Sequence, residues 1–108
     1  MPARFPFVDG SGAKLRPVLV LASVPGAYRD FIVMFISSQL SQAVPSVDLI
    51  LRPGDAAFVS SGLKVASVFR IGKVASLSHA LIAGTLGQLD PPTFDDVIRR
   101  LIRVLETP

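Results

Sequence analysis

The sequence predicts a small, mainly β protein in which a strongly curved antiparallel sheet or barrel packs against one terminal helix. Two observations lead to this class. Several apolar runs have the length of a strand and are separated by turn signals rich in glycine and proline. Only the last segment has a clear helical periodicity. At 108 residues the chain is long enough for one hydrophobic core, so we expect a single domain over residues 1–108.

The first predicted strand follows a polar loop at residues 8–14, whose glycines allow the backbone to approach a ligand closely. Residues 18–22 are an unbroken apolar run, which is typical of a strand buried on both faces. Pro17 suits the first position of a strand because it has no backbone donor and a fixed φ. Arg16 is therefore predicted at the mouth of a buried strand, where its fork of donors suits a phosphate.

Four more strands are predicted along the middle of the chain. The loop at residues 23–30 has Pro25-Gly26 as its turn signal, and a second turn follows at residues 52–55. Residues 79–86 favour a short helix that Gly84 and Gly87 interrupt. The four strands are predicted at residues 31–36, 47–51, 62–71 and 74–77.

The last segment is predicted to be an amphipathic helix from Phe94 to Leu105. Thr93, with Asp96 three residues later, resembles a capping box in which aspartate replaces the usual glutamate. Asp95 and Asp96 are expected in the first turn and three arginines near the other end, as the helix dipole favours. The apolar stripe of this helix consists of Phe94, Val97, Ile98, Leu101, Ile102 and Leu105.

The composition excludes several classes of protein. Half of the residues are apolar, yet no apolar run approaches the ~20 residues that span a bilayer, so the excess predicts a hydrophobic dimer interface without membrane association. No signal peptide follows Arg4, which favours a cytoplasmic protein. With no cysteine and one histidine, the chain is expected to have no disulfide, metal site or other cofactor. A net charge of +3 permits a polyanionic partner without requiring one.

Arg16 and the cluster Ser37-Ser38-Gln39 are the candidates for chemistry. Each lies at the end of an apolar run, so neighbouring strands would bring the guanidinium and the hydroxyls to one pocket. Such a pair suits phosphoryl chemistry on RNA, which supplies its own nucleophile. The arginine would neutralise charge on the phosphorane oxygens, and a hydroxyl would orient the phosphate or the attacking 2′-oxygen. The residues alone leave open a surface ion pair for Arg16 and local hydrogen bonds for both serines.

Several other side chains allow two interpretations. His79 is either an acid or base or, as its apolar neighbours favour, a partly buried structural histidine. Tyr28 and Phe5 either stack on bases or serve packing. Gly10 and Gly12 lack the third glycine and the following helix of a dinucleotide-binding fingerprint. A basic stripe that either follows a phosphate backbone or is simply solvated consists of Lys64, Arg70 and Lys73.

A set of short motifs runs in order along nearly the whole chain. They are Phe5-Pro6-Phe7, Asp9-Gly10-Ser11-Gly12, Lys14, Arg16-Pro17-Val18-Leu19-Val20, Ser37-Ser38-Gln39, Gly62-Leu63-Lys64-Val65-Ala66-Ser67-Val68, Lys73-Val74-Ala75 and Leu86-Gly87-Gln88-Leu89. Together these motifs resemble the PemK/MazF family of toxin endoribonucleases. The resemblance implies a CcdB/MazF-like, SH3-like β-barrel that forms a homodimer and has a cognate antitoxin. It also implies metal-independent cleavage of single-stranded RNA, leaving a 2′,3′-cyclic phosphate and a 5′-hydroxyl.

The resemblance also implies roles for individual residues. Arg16 matches the catalytic arginine of the family, and Ser37 stands where a threonine or serine ends the next long strand and is the second catalytic residue. Serine keeps the hydroxyl and lacks only the methyl group of the more common threonine. The residues expected to bind substrate are Lys14, Ser38, Gln39, Gly10 and Gly12.

The chain departs from the family pattern at its start. Relatives open with a strand of the type Gly-Asp-Ile-Val-x-Val, whereas this sequence opens with Met1-Pro2-Ala3-Arg4. We therefore expect a barrel without the usual first strand, either because the assigned start lies downstream of the natural one or because this is a shortened member. Such a loss would expose unpaired backbone. Two alternatives stay open: a non-catalytic, toxin-like barrel that binds an antitoxin or poisons gyrase, and an RNA-binding barrel without a toxin role.

Overall fold

The computed structural model describes residues 2–8 and 13–107, and the side chains of residues 15–107. Within these ranges the chain forms six strands of one sheet, a short helix and a long C-terminal helix. Single 3₁₀ turns lie at Leu40–Gln42 and His79–Leu81. The elements are β1 (Pro2–Val8), β2 (Ala13–Val24), β3 (Asp30–Ser37), β4 (Leu49–Leu51), α1 (Phe58–Ser61), β5 (Ser67–Ser78), β6 (Gly84–Thr85) and α2 (Pro91–Glu106).

The sheet has the strand order β4-β5-β3-β2-β1-β6, and every pairing among the described residues is antiparallel. The two longest strands, β2 and β5, lie on either side of β3. No pairing between β4 and β6 closes the sheet in the described part of the chain. The predicted class, mainly β with a C-terminal helix, is confirmed, and the open sheet is compatible with the barrel that the resemblance implies.

The N-terminal segment differs from the prediction because it contains a strand that the sequence analysis missed. The predicted loop at residues 8–14 is shorter: β1 reaches Val8, and β2 already begins at Ala13. Prolines weaken the strand signal of β1 because they cannot donate a hydrogen bond to a neighbouring strand. Every residue of β1 nevertheless has a partner in β2. Arg16 and Pro17 therefore lie inside β2, opposite Phe5 and Arg4, and not at its start. Residues 2–4, at the position where we expected a strand to be lacking, are part of β1.

The predictions for residues 62–71 and 74–77 are wrong in detail. Residues 62–66 form a turn and bends, and one strand covers the rest of the first predicted strand and the whole of the second. β5 begins only at Ser67, after α1 and a left-handed Gly62 that ends that helix. The two predicted strands are one continuous strand, and Gly72 lies inside it. The register with β3 shifts between Met34 and Ile36, so that residues 70–73 of β5 bulge opposite Phe35. The bulge contains two cationic residues, Arg70 and Lys73, which therefore have no partner in the regular ladder with β3.

β4 and α2 keep their predicted positions but change their limits, whereas residues 79–86 differ in the type of structure. β4 has three residues, fewer than predicted, and residues 79–86 contain a 3₁₀ turn and the short strand β6 in place of a broken helix. α2 begins at Pro91 after Asp90, so Thr93 is not a cap and the first turn has no acidic residue. Proline suits the first helical position because its missing donor would have no partner there. No helix in the described ranges is long and apolar enough to cross a membrane.

The hydrophobic core lies mainly on one face of the sheet, beneath α2. Leu19 of β2 and Met34 of β3 are fully buried there, and Val97 is the fully buried residue of α2. The opposite face carries a smaller cluster centred on Val18 and Val33, because neighbouring residues of a strand point to opposite sides. The central strands thus pack against apolar side chains on both faces, which restricts the movement of the strand ends.

Candidate active site

The neighbouring strands β2 and β3 bring Arg16 and Ser37 to one cavity. The ladder between the two strands ends at the pair Val18–Phe35, and Arg16 and Ser37 each lie two residues beyond it on their own strands. Opposite residues of antiparallel strands project to the same side. Both residues line one cavity of about 350 Å³, so the shared pocket expected from the sequence is present.

Two further predicted residues, Ser38 and Gln39, line the same cavity, and Lys64 adds a cation to its wall. Gly62 and Leu86 also line this cavity, and two close backbone approaches lie beside it. Gly62 has a φ of +77°, and a Cβ on it would overlap the carbonyl oxygen of Leu86. A Cβ on Gly87 would likewise meet the backbone carbonyl oxygen of Ser60. The segment that follows β6 therefore packs tightly on α1, which shapes this side of the cavity.

A second cavity, of about 360 Å³, lies next to the first and shares Arg16, Ile36 and Ser37 with it. Its other cations come from the bulge in β5. The predicted basic stripe is thereby divided, because Lys64 lines the first cavity while Arg70 and Lys73 line the second. Positive charge on both sides of the Arg16–Ser37 pair is the distribution that a polyanionic strand requires.

The side chain of Ser37 makes two hydrogen bonds with described residues, and both partners follow it in the chain. The backbone N–H of Gln39 donates to Ser37 Oγ at 3.0 Å, and Ser37 Oγ donates to Gln42 Oε1 at 3.1 Å. The 3₁₀ turn at Leu40–Gln42 folds Gln42 back toward the strand end. Arg70 Nη1 donates to the same Gln42 oxygen at 3.0 Å. Gln42 was not predicted, and no sequence signal singles it out.

The buried carboxylate of Asp48 contacts Arg70 and so helps to fix this group of polar residues. Its side chain is only 4% exposed, and Arg70 Nε lies 3.6 Å from its Oδ2. Its oxygens accept the backbone N–H groups of Val44 and Ile71, both at 3.0 Å. Because a buried carboxylate requires partners of this kind, Asp48 holds Arg70 and the turn before β4 in one arrangement. A charged residue inside the apolar run at 47–51 was the available signal for it.

The structure places His79 away from Arg16 and Ser37. His79 lies beyond the far end of β5, where its backbone N–H donates to the carbonyl of Arg29 at 2.7 Å. It lines a separate cavity of about 790 Å³ together with Arg29 and Asp30. Its side chain is exposed, whereas the sequence analysis favoured a partly buried one. Tyr28, in the neighbouring loop, is 83% exposed.

Some predicted site residues lie outside the described residues. Gly10 and Gly12 belong to this group, as do the side chains of Phe5 and Lys14; the backbone of Lys14 is in β2, opposite Phe7. Among the described side chains, no group of three or more His, Asp or Glu residues is placed to hold a metal ion.

Comparisons with known proteins identify the family and support the fold. A family model described as PemK-like, MazF-like toxin of type II toxin–antitoxin systems matches residues 2–105. No curated protein matches the chain. Among solved structures, 24 chains match, and one is an endoribonuclease in complex with its cognate antitoxin from a mycobacterial species. That structure has a TM-score of 0.63 and 17% identity, covering 98% of this chain and 93% of the other, so the likeness concerns the fold.

Proposed function

Because the chain belongs to the PemK-like, MazF-like toxin family of type II toxin–antitoxin systems, we propose that it is an endoribonuclease that cleaves single-stranded RNA without a metal ion. One observation carries this proposal: a guanidinium and a hydroxyl from adjacent strands, Arg16 and Ser37, line the same cavity. Cations flank that pair on both sides. The pair matches the two groups that a nuclease needs when RNA supplies the nucleophile.

The proposed reaction is an in-line displacement at phosphorus. The 2′-oxygen attacks the adjacent phosphorus and loses its proton, while the bond to the 5′-oxygen breaks and that oxygen takes up a proton. The products are a 2′,3′-cyclic phosphate and a 5′-hydroxyl. Arg16 stabilises the negative charge that grows on the non-bridging oxygens, which is where a preorganised donor contributes most. Ser37 orients the phosphate or the 2′-oxygen.

The remaining cavity residues would bind the RNA strand on either side of the cleaved bond. Ser38 and Gln39 are exposed and line the cavity, so their polar groups are available to the substrate. Lys64 and Lys73 would contact neighbouring phosphates. We also assign substrate binding to Lys14 at the start of β2 and to Gly10 and Gly12, which precede that strand in the sequence.

Two protein partners belong to the same proposal. The similar mycobacterial endoribonuclease is bound to its cognate antitoxin, and we expect this toxin to be neutralised by an antitoxin of its own. We also expect a homodimer, because Ile102 and Leu105 of the apolar stripe on α2 are 47% and 74% exposed in one chain. Residues 1–108 would form one toxin domain that acts in the cytoplasm, where its RNA substrate is found.

Cleavage of a mixed single-stranded RNA in the presence of EDTA tests the proposal. The wild-type protein is expected to cut, and Arg16→Ala to be slower by about 10²–10³-fold, the usual effect of removing one donor to a developing oxyanion. Arg52→Ala is the matched control, because it removes the same charge from an exposed turn away from both cavities. No cleavage by the wild type, together with tight binding to an antitoxin peptide, would favour the non-catalytic alternative.

A further inference from the structure

The hydrogen bonds around Gln42 determine which of its two side-chain ends faces Arg70. The two ends of a glutamine amide differ in role, since the oxygen only accepts hydrogen bonds and the nitrogen donates. A guanidinium only donates. The Gln42 atom that lies 3.0 Å from Arg70 Nη1 must therefore be the oxygen.

The same oxygen then determines the direction of the hydrogen bond with Ser37. Ser37 Oγ lies 3.1 Å from Gln42 Oε1, and a carbonyl oxygen has no proton to give, so the serine hydroxyl is the donor. A hydroxyl has one proton and two lone pairs. The proton is used by Gln42, and the backbone N–H of Gln39 occupies one lone pair at 3.0 Å. Among the described residues, no other group occupies the second lone pair of Ser37.

We propose that Gln42 is a positioning residue that holds the proton of Ser37, so that Ser37 meets RNA as a hydrogen-bond acceptor and orients the attacking 2′-hydroxyl. This inference rests on the proposed nuclease function and decides between the two roles given to Ser37 there. A phosphate oxygen also only accepts, so Ser37 would have to release Gln42 before it could bind one. A 2′-hydroxyl can donate to the free lone pair without any such rearrangement.

The surroundings keep Gln42 in this arrangement. Arg70 supplies the second donor to the Gln42 oxygen, and the buried carboxylate of Asp48 lies 3.6 Å from Arg70 Nε. Asp48 is in turn fixed by two backbone N–H groups from different parts of the chain, those of Val44 and Ile71. The direction of the Ser37 hydroxyl is therefore linked to a buried anchor through two side chains.

The experiment compares two oligonucleotides that differ by a single 2′-hydroxyl. The cleavage site is first mapped with wild-type protein, and an RNA carrying that site is then made with and without a 2′-deoxy substitution at the cleaved nucleotide. Dissociation constants are measured in an Arg16→Ala background, in which the all-ribose RNA is cleaved slowly compared with the time of the binding measurement. If Ser37 accepts from the 2′-hydroxyl, the all-ribose RNA binds more tightly, by about tenfold for one hydrogen bond.

Substitutions then test the role of each residue in that preference. Ser37→Ala and Gln42→Ala are expected to reduce the preference for the 2′-hydroxyl severalfold while leaving the affinity for the 2′-deoxy oligonucleotide unchanged. Gln42→Glu keeps acceptor oxygens toward both Ser37 and Arg70 and is expected to retain the preference. Ser41→Ala lies in the same 3₁₀ turn, lines neither cavity, and is the control.

In the cleavage assay with Arg16 intact, Gln42→Ala should lower kcat about tenfold with little change in KM, because the phosphate contacts remain. An equal loss of affinity for both oligonucleotides in Ser37→Ala would show that Ser37 donates to phosphate and would overturn the inference. An unchanged preference and kcat in Gln42→Ala would overturn the role of Gln42. Either result would leave the nuclease proposal standing, whereas no cleavage by the wild type would remove both.

Discussion

The contribution of Arg16 depends on its position in the same cavity as Ser37 as much as on its charge. The two residues are 21 positions apart in the sequence but lie two steps beyond the Val18–Phe35 pair, on the same side of the sheet. Arginine offers several donors in a planar fork, so it binds two phosphate oxygens at once. A lysine in its place would keep the charge and lose that geometry.

Ser37 can be tested by a substitution that keeps its hydroxyl. Ser37→Thr is expected to cleave RNA within a few fold of wild type, because the added methyl group lies at the partly exposed end of β3 and a β-branched residue suits a strand. Ser37→Ala removes the hydroxyl and is expected to lower kcat/KM about 10–100-fold. Initial rates on one RNA measure both effects. If Ser37→Thr were as slow as Ser37→Ala, the hydroxyl would not be the group that matters.

At the residue scale, the sequence identified part of the candidate site. Arg16 and Ser37 were recognisable because each lies at the end of an apolar run. Gln42 was not, because its role comes from a 3₁₀ turn and from Arg70, 28 residues away. The partners of Asp48 are equally remote in the sequence, since one of them is the backbone of Ile71.

At the element scale, α1 and its left-handed glycine shape the wall of the first cavity. Gly62 has a positive φ and no room for a Cβ against Leu86. We predict that Gly62→Ala lowers the free energy of unfolding by about 1–3 kcal/mol, from the strained backbone conformation and the overlap. Gly54→Ala, where a Cβ would meet nothing within 4 Å, is the control. Urea unfolding followed by circular dichroism measures both, and equal midpoints for the two variants would contradict this account.

The elements that the sequence predicted best are those with an unbroken pattern. Residues 18–22 and 31–36 lie in β2 and β3, and the periodic stripe became α2. β1 was missed because its prolines obscure a strand that pairing with β2 supports. The two strands predicted at residues 62–71 and 74–77 are replaced by the single strand β5, which continues through a bulge at residues 70–73.

At the scale of the whole molecule, cationic side chains border both cavities of the candidate site. With a net charge of +3, the chain places Arg16, Lys64, Arg70 and Lys73 around two adjoining cavities. The sequence could indicate a basic stripe, but not its division between two cavities, because that division results from the bulge in β5. Polyanion binding of this kind releases counterions and weakens as salt is added.

The salt dependence of RNA binding tests this distribution of charge. In the Arg16→Ala background, we predict that the logarithm of the binding constant falls linearly with the logarithm of salt concentration between about 50 and 200 mM. Lys64→Ala and Lys73→Ala should each reduce the slope by about 0.7–1. Arg99→Ala, on the exposed face of α2, should leave the slope unchanged. Fluorescence anisotropy with a labelled RNA provides the measurement, and slopes unaffected by either lysine would place the RNA elsewhere.

The most direct test of the central claim is a double-substitution cycle on Arg16 and Ser37, with kcat/KM for single-stranded RNA measured in EDTA. If both side chains act on one phosphodiester, the effects are not additive, because groups that act as a unit lose most of their contribution when either is removed. The protein that combines Arg16→Ala with Ser37→Ala should then be little slower than Arg16→Ala alone. Losses that add fully, or an Arg16→Ala variant as fast as wild type, would contradict a shared site between β2 and β3.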